Sequence, residues 1–177
     1  MRKLQNQELN RLSVEEFKEA DKLPLVIVLD NIRSLNNIGS IFRTADAFKV
    51  SRIHLCGITA KPPHREIQKT ALGATESVDW EYFETTGESI AKLKKDGFTV
   101  LAIEQAENSL SLNKFIPEKD QKLALILGHE VHGVSQHIVD LSDKCLEIPQ
   151  FGTKHSFNVS VSAGIVMWDL FNKIKKA

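Results

Sequence analysis

Apolar and polar positions along the chain alternate between two rhythms. Continuous apolar runs recur at 25–30 (LVIVLD), 52–58 (RIHLCGI), 98–104 (FTVLAIE), 122–128 (KLALILG) and 144–149 (KCLEIP). Such runs predict strands buried on both faces. DWEYF at 79–83 adds a further strand. Between them the pattern takes a helical period. Residues 37–48 place Ile38, Ile41, Phe42 and Ala45 on one face. Residues 65–72 predict a short helix after a Pro-Pro loop, and 87–96 an amphipathic helix ended by Gly97. Residues 135–141 predict a helical turn or short helix, and 157–174 the last helix. Residues 1–22 read as a short helical arm, in which Ser13 and Glu16 form a capping-box pattern.

Strand and helix in alternation predict an α/β fold, a mostly parallel sheet with helices on both faces. Ligands in such folds bind beyond the carboxyl ends of the strands. Polar residues gather at those places: Asp30 and Asn31, Glu104 and Gln105, the segment 128–133, and the segment 149–158.

The length of 177 residues fits one ordinary domain. A hydrophobic fraction of 42% and a charged fraction of 26% describe a globular chain with a sizeable core. No apolar run approaches the roughly 18 residues of a membrane span, and the polar N-terminus carries no signal-peptide core. A cytoplasmic protein is expected. The 23 basic and 23 acidic side chains cancel, which weighs against a general nucleic-acid coat protein. Local basic groups remain. Lys49, Arg52, Lys61, Arg65 and Lys69 crowd one region with Glu66, and Lys173, Lys175 and Lys176 close the chain. Cys56 and Cys145 sit in apolar runs and read as buried free thiols.

Familiar catalytic fingerprints are missing. The chain has no G-x-G-x-x-G after its first strand, no P-loop and no G-x-S-x-G elbow. His129, Glu130 and His132 read H-E-x-H, but a zinc-binding helix needs histidines four apart; no metal site is expected. Three segments carry the candidate chemistry. In the first, Asn37 and Gly39 open a helix whose N-terminus can meet an electron-rich group, and Arg43 can aim a fixed charge there. Asn37 as a plain cap and Arg43 as a surface residue is the alternative. In the second, Gly128 and Gly133 bracket Glu130 after a buried strand. That carboxylate can bind a hydroxyl, hold an Arg, act as a base or lie solvated. In the third, Ser156, Asn158, Ser160 and Ser162 lead into a helix rich in small residues. Small side chains there permit close approach of a backbone or a flat ligand.

Taken together, the three segments resemble the SpoU (TrmH-like) family of the SPOUT superfamily, S-adenosylmethionine-dependent RNA 2′-O-ribose methyltransferases. Asn37, Gly39, Arg43, Thr44 and Ala45 match the first family motif. Gly128, Glu130 and Gly133 match the second, G-x-E-x-x-G. Ile148, Pro149, Gly152, Ser156, Asn158, Val159 and Ser160 match the third. His129 and Phe157 depart from the commoner residues at their positions.

The resemblance implies a deep trefoil knot in the C-terminal third and a catalytic domain spanning 23–177. It implies S-adenosylmethionine as cofactor, surrounded by main chain near Ile103, Glu104, Leu127, Gly128, Ile148, Ser156 and Phe157. It assigns the catalytic set to Arg43, Asn37, Glu130, Ser156 and Asn158. The family assigns activation of the hydroxyl to the motif arginine, Arg43; because a free guanidinium holds its proton with a pKa above about 12, a role in orienting the ribose and stabilising developing charge is the favoured form. The resemblance also implies a homodimer, with Val161, Ile165, Trp168, Leu170 and Phe171 of the last helix toward the partner or in the monomer core. RNA is the implied partner. tRNA is favoured over ribosomal RNA, and a D-loop guanosine is the favoured nucleotide. The alternatives are a ribosomal RNA methyltransferase and a non-catalytic RNA-binding protein on the same fold.

Overall fold

The computed structural model describes residues 1–175. Lys176 of the terminal basic group and Ala177, the end of the expected 23–177 domain, lie outside the described residues. The chain runs α1 (Val14–Glu19), β1 (Leu23–Asp30), α2 (Leu35–Ala47), β2 (Val50–Cys56), α3 (Arg65–Ala71), α4 (Ala74–Ser77) and β3 (Trp80–Phe83). It continues α5 (Thr86–Lys95), β4 (Thr99–Ile103), β5 (Leu110–Ser111), β6 (Leu123–Leu127), α6 (Gln136–Leu141), β7 (Lys144–Glu147) and α7 (Val159–Ile174). The strands form one seven-stranded sheet in the order β3-β2-β1-β6-β4-β7-β5. Every named pairing is parallel, as continuous apolar strands require when helices cover both faces.

Alternation along β1 sorts the core into two layers. Leu25, Ile27 and Leu29 pack with Ile38 and Phe42 of α2, Ile67 of α3, and Val166 and Leu170 of α7. Val26 and Val28 point the other way, toward Ile90 and Leu93 of α5 and Ile138 of α6. Burying a side chain of this size stabilises the fold by about 1.5–3 kcal/mol. The arm also contributes: Phe17 of α1 is buried in the first layer, and the Ser13–Glu16 capping box forms as the sequence predicts.

Several sequence expectations need correction. Helix α2 begins before Asn37: Ser34 is its cap, and the Ser34 hydroxyl accepts the Asn37 N–H at 3.3 Å. Asn37 therefore stands inside the first turn with its side chain free for other work. Gly39 is buried, facing α3. A Cβ there would lie 2.1 Å from Thr70 Oγ1 and 2.3 Å from the Ile67 carbonyl oxygen, so glycine lets α3 press against α2. Strand β7 ends at Glu147, and α7 starts only at Val159, after the Asn158 cap. The two-residue β5 has no apolar run to announce it. In α7, Leu170 is fully buried and belongs to the monomer core, while Val161 and Trp168 are about half exposed.

Candidate cofactor cleft and substrate-side cluster

Strands β6, β4 and β7 lie side by side, and a cleft of about 890 Å³ opens beyond their carboxyl ends. Ile103 ends β4, Leu127 ends β6, and Ile148 follows β7. These three apolar residues line the cleft together with Glu104, Gly128, Ser156 and Phe157. All seven residues expected to surround a cofactor thus line one cavity. Glu130 lines it as well.

The turn that follows β6 closes on itself. His129 and Gly133 exchange backbone hydrogen bonds: the His129 N–H donates to the Gly133 oxygen at 3.1 Å, and the Gly133 N–H to the His129 oxygen at 2.8 Å. Gly133 takes a φ of 65°, a left-handed backbone that favours glycine. A Cβ on Gly128 would sit 2.2 Å from the Gly133 carbonyl carbon. The glycines of the G-x-E-x-x-G motif are therefore required by the turn's own backbone. The His129 ring supports the same turn, its Nδ1 accepting the N–H groups of Val131 (3.0 Å) and His132 (3.3 Å).

The turn presents Glu130 to the start of α2. Its carboxylate accepts the N–H of Ser34 at 2.9 Å and of Arg33 at 3.1 Å, and the Asn37 side-chain amide at 3.2 Å. Asn37 Oδ1 in turn accepts from the Asn158 amide at 3.2 Å. Asn158 caps α7, its Oδ1 accepting the Ser160 N–H at 2.8 Å and the Ser160 hydroxyl at 2.6 Å. One residue from each motif thus joins a single hydrogen-bonded series. Partial burial by itself raises the Glu130 pKa. The N–H groups of Ser34, Arg33 and Glu130 itself, with the Asn37 amide, outweigh it and leave the carboxyl below its ordinary value.

Arg43 and Ser156 stand outside this series. Arg43 is exposed on α2 and makes no ion pair among the described residues; it does not line the cleft. Ser156 lines the cleft and is exposed. Sequence reasoning missed His155, whose carbonyl accepts from the Gln105 side chain at 2.6 Å. It also missed Val134, whose backbone N–H donates to Glu104 at 2.9 Å while its side chain packs in the second core layer. Neither carries a side-chain signal for this role.

The remaining reactive groups are quiet. Burial pushes the Cys56 thiol up to about 12 and raises Cys145, so neither is an activated nucleophile. Burial also pushes His54 down to about 4, beside the Ser89 hydroxyl at 2.8 Å. No group of three or more His, Cys, Asp or Glu residues gathers to hold a metal among the described residues. None of the described helices is long and apolar enough to cross a membrane. The basic region is partly neutralised: Arg52 pairs with Glu81 and Lys69 with Glu66, while Lys61 lies over the Tyr82 ring.

Known proteins share this architecture. A Staphylococcus aureus (strain MSSA476) protein named for the TrmH family of tRNA/rRNA methyltransferases is 32% identical over 160 residues. The match covers 90% of this chain and 63% of that protein, so the chain spans less than two thirds of its relative. The A. aeolicus TrmH/SpoU tRNA modifying enzyme superposes with a TM-score of 0.80 at 25% identity, over 92% of this chain and 83% of that one. The AdoMet-bound rRNA methyltransferase from Sinorhizobium meliloti gives 0.78 at 26% identity, over 86% and 58%. The family model described as the SpoU rRNA Methylase family matches residues 24–168. With all three motifs assembled on one parallel sheet inside that span, the chain belongs to the SpoU methylase family.

Proposed function

We propose that this chain transfers a methyl group from S-adenosylmethionine to a ribose 2′-hydroxyl of RNA, with tRNA the favoured substrate and a D-loop guanosine the favoured nucleotide. The observation that carries the reading is the Glu130–Asn37–Asn158 series, which ties the three motifs together at the edge of the cleft. The cleft suits such a cofactor. Ile103, Leu127 and Ile148 offer apolar walls for a flat base, and neighbouring backbone groups offer donors and acceptors. The related structure from Sinorhizobium meliloti is AdoMet-bound.

Bound S-adenosylmethionine would supply a methyl group on a sulfonium, whose sulfur departs as a neutral thioether without a metal, while the 2′-hydroxyl proton passes to water. The chain's residues supply position and charge. Glu130 holds the start of α2, and Asn37 and Asn158 fix its relation to α7. Ser156 offers a hydroxyl inside the cleft. Arg43 orients the ribose and its adjacent phosphate and stabilises charge developing on the oxygen. Its exposed place on α2 fits a site shared with a partner subunit. A homodimer would cover Val161 and Trp168, the half-exposed apolar residues of α7. The reading also takes 1–22 as an arm and 23–177 as the catalytic domain, with the C-terminal third threaded as a trefoil knot and the protein in the cytoplasm.

Calorimetry with S-adenosylmethionine, followed by methyl-labelled cofactor and total RNA, tests the proposal. The expected result is saturable binding and label at a 2′-O position in the tRNA fraction. Bound cofactor with no label in any RNA fraction overturns methyl transfer, and label confined to ribosomal RNA overturns the tRNA preference. Sedimentation of the same preparation as a monomer overturns the dimer.

A further inference from the structure

We infer that Glu104 is a positioning residue, whose carboxylate clamps the 128–134 turn in place as a wall of the cofactor cleft. The inference rests on the proposed function only for the identity of the cleft's occupant. Glu104 follows directly on β4. Its Oε1 accepts the Gln105 N–H at 2.8 Å, and its Oε2 accepts the Val134 N–H at 2.9 Å. One carboxylate thus joins the end of β4 to the far end of the turn. Gly133 makes room for it: a Cβ there would lie 2.1 Å from Glu104 Oε2. The second glycine of the motif therefore serves the clamp as well as the left-handed backbone.

The turn has a second tether. Glu130, within the turn, accepts from Arg33, Ser34 and Asn37. Two carboxylates tie this short turn to its surroundings: Glu104 reaches in from the end of β4, and Glu130 reaches out from the turn to the start of α2. Charged acceptors bind N–H groups more strongly than neutral ones. Release at Glu104 leaves the Glu130 tether in place but frees the Val134 end of the turn, which also lines the cleft, so cofactor binding weakens.

Asp143 provides a matched control. Its carboxylate likewise accepts a backbone N–H, that of Val100 at 2.8 Å, and pairs with Lys94 at 2.9 Å. It sits at the opposite end of β4 from the cleft. Glu104→Ala is expected to weaken S-adenosylmethionine binding by about tenfold. It should also speed hydrogen exchange at the Val134 amide of the free protein. Glu104→Gln keeps one carbonyl acceptor for Val134 and should recover part of the affinity. Asp143→Ala should bind S-adenosylmethionine within about twofold of the unchanged protein. A folded Glu104→Ala protein with unchanged affinity overturns the inference, and so does an equal loss in Asp143→Ala. If the unchanged protein fails to bind S-adenosylmethionine, the proposed function falls. The exchange rate at Val134 then decides the clamp, and an unchanged rate in Glu104→Ala overturns it.

Discussion

Replacing Arg43 with alanine is expected to lower methyl transfer by about 10²–10³-fold, the size of effect seen when a donor to developing negative charge is removed. S-adenosylmethionine should bind as before. The structure separates these two outcomes. Arg43 is exposed on α2, holds no ion pair among the described residues and lies off the cleft. Alanine at this position breaks no core contact and favours the helix. A loss of turnover would therefore come from the RNA side of the reaction. Arg43→Lys keeps the charge but loses the planar, two-pronged donor, so it should fall between alanine and the unchanged protein. Single-turnover rates at saturating RNA and cofactor are the measurement. Turnover of Arg43→Ala near that of the unchanged protein would sink the assignment.

Glu130→Ala should cost both activity and stability. The substitution leaves the Ser34 and Arg33 N–H groups and the Asn37 amide without their shared acceptor. A hydrogen bond to a charged group contributes about 1.5–3 kcal/mol when buried. Glu130 is only half-buried, and water replaces part of what is lost, so a net destabilisation on the order of 2 kcal/mol is expected. Activity should fall by about 100-fold, because Asn37 and Asn158 lose their common reference. In the unchanged protein Glu130 also gives stability a pH signature. The folded-state pKa of Glu130 lies below its ordinary value of 4.5. Its contribution is therefore complete above that value and disappears as the pH falls through the depressed pKa. Glu130→Gln should flatten this acid-side loss in a series of denaturation curves. An acid limb identical to that of the unchanged protein would show that Glu130 does not carry it.

The sheet was legible because its signal is local. Continuous apolar runs mark β1, β2, β4 and β6, and their burial on both faces requires helices above and below. The short β5 escaped because two residues cannot display a period. Element ends were less legible than element types. Ser34 and Asn37 both suit a helix cap, and only the meeting of Asn37 with Glu130 separates their roles. The cleft residues were legible through a resemblance rather than through periodicity. Glu104 shows the remaining gap: its position at a strand end was visible, but its partner Val134 contributes only a backbone N–H. Every residue except proline carries that group, so no sequence pattern can announce it.

The pairing of Asn37 with Asn158 spans 121 residues, and that of Asn37 with Glu130 spans 93. Contacts between such distant parts of a chain are costly to close and form slowly. On the ribosome, residues 30–48 emerge long before the cap of α7 exists. A nascent chain can assemble β1, α2 and β2 early, yet it cannot join the three motifs until Asn158 has been made. The series therefore closes only in a polypeptide synthesised through Asn158.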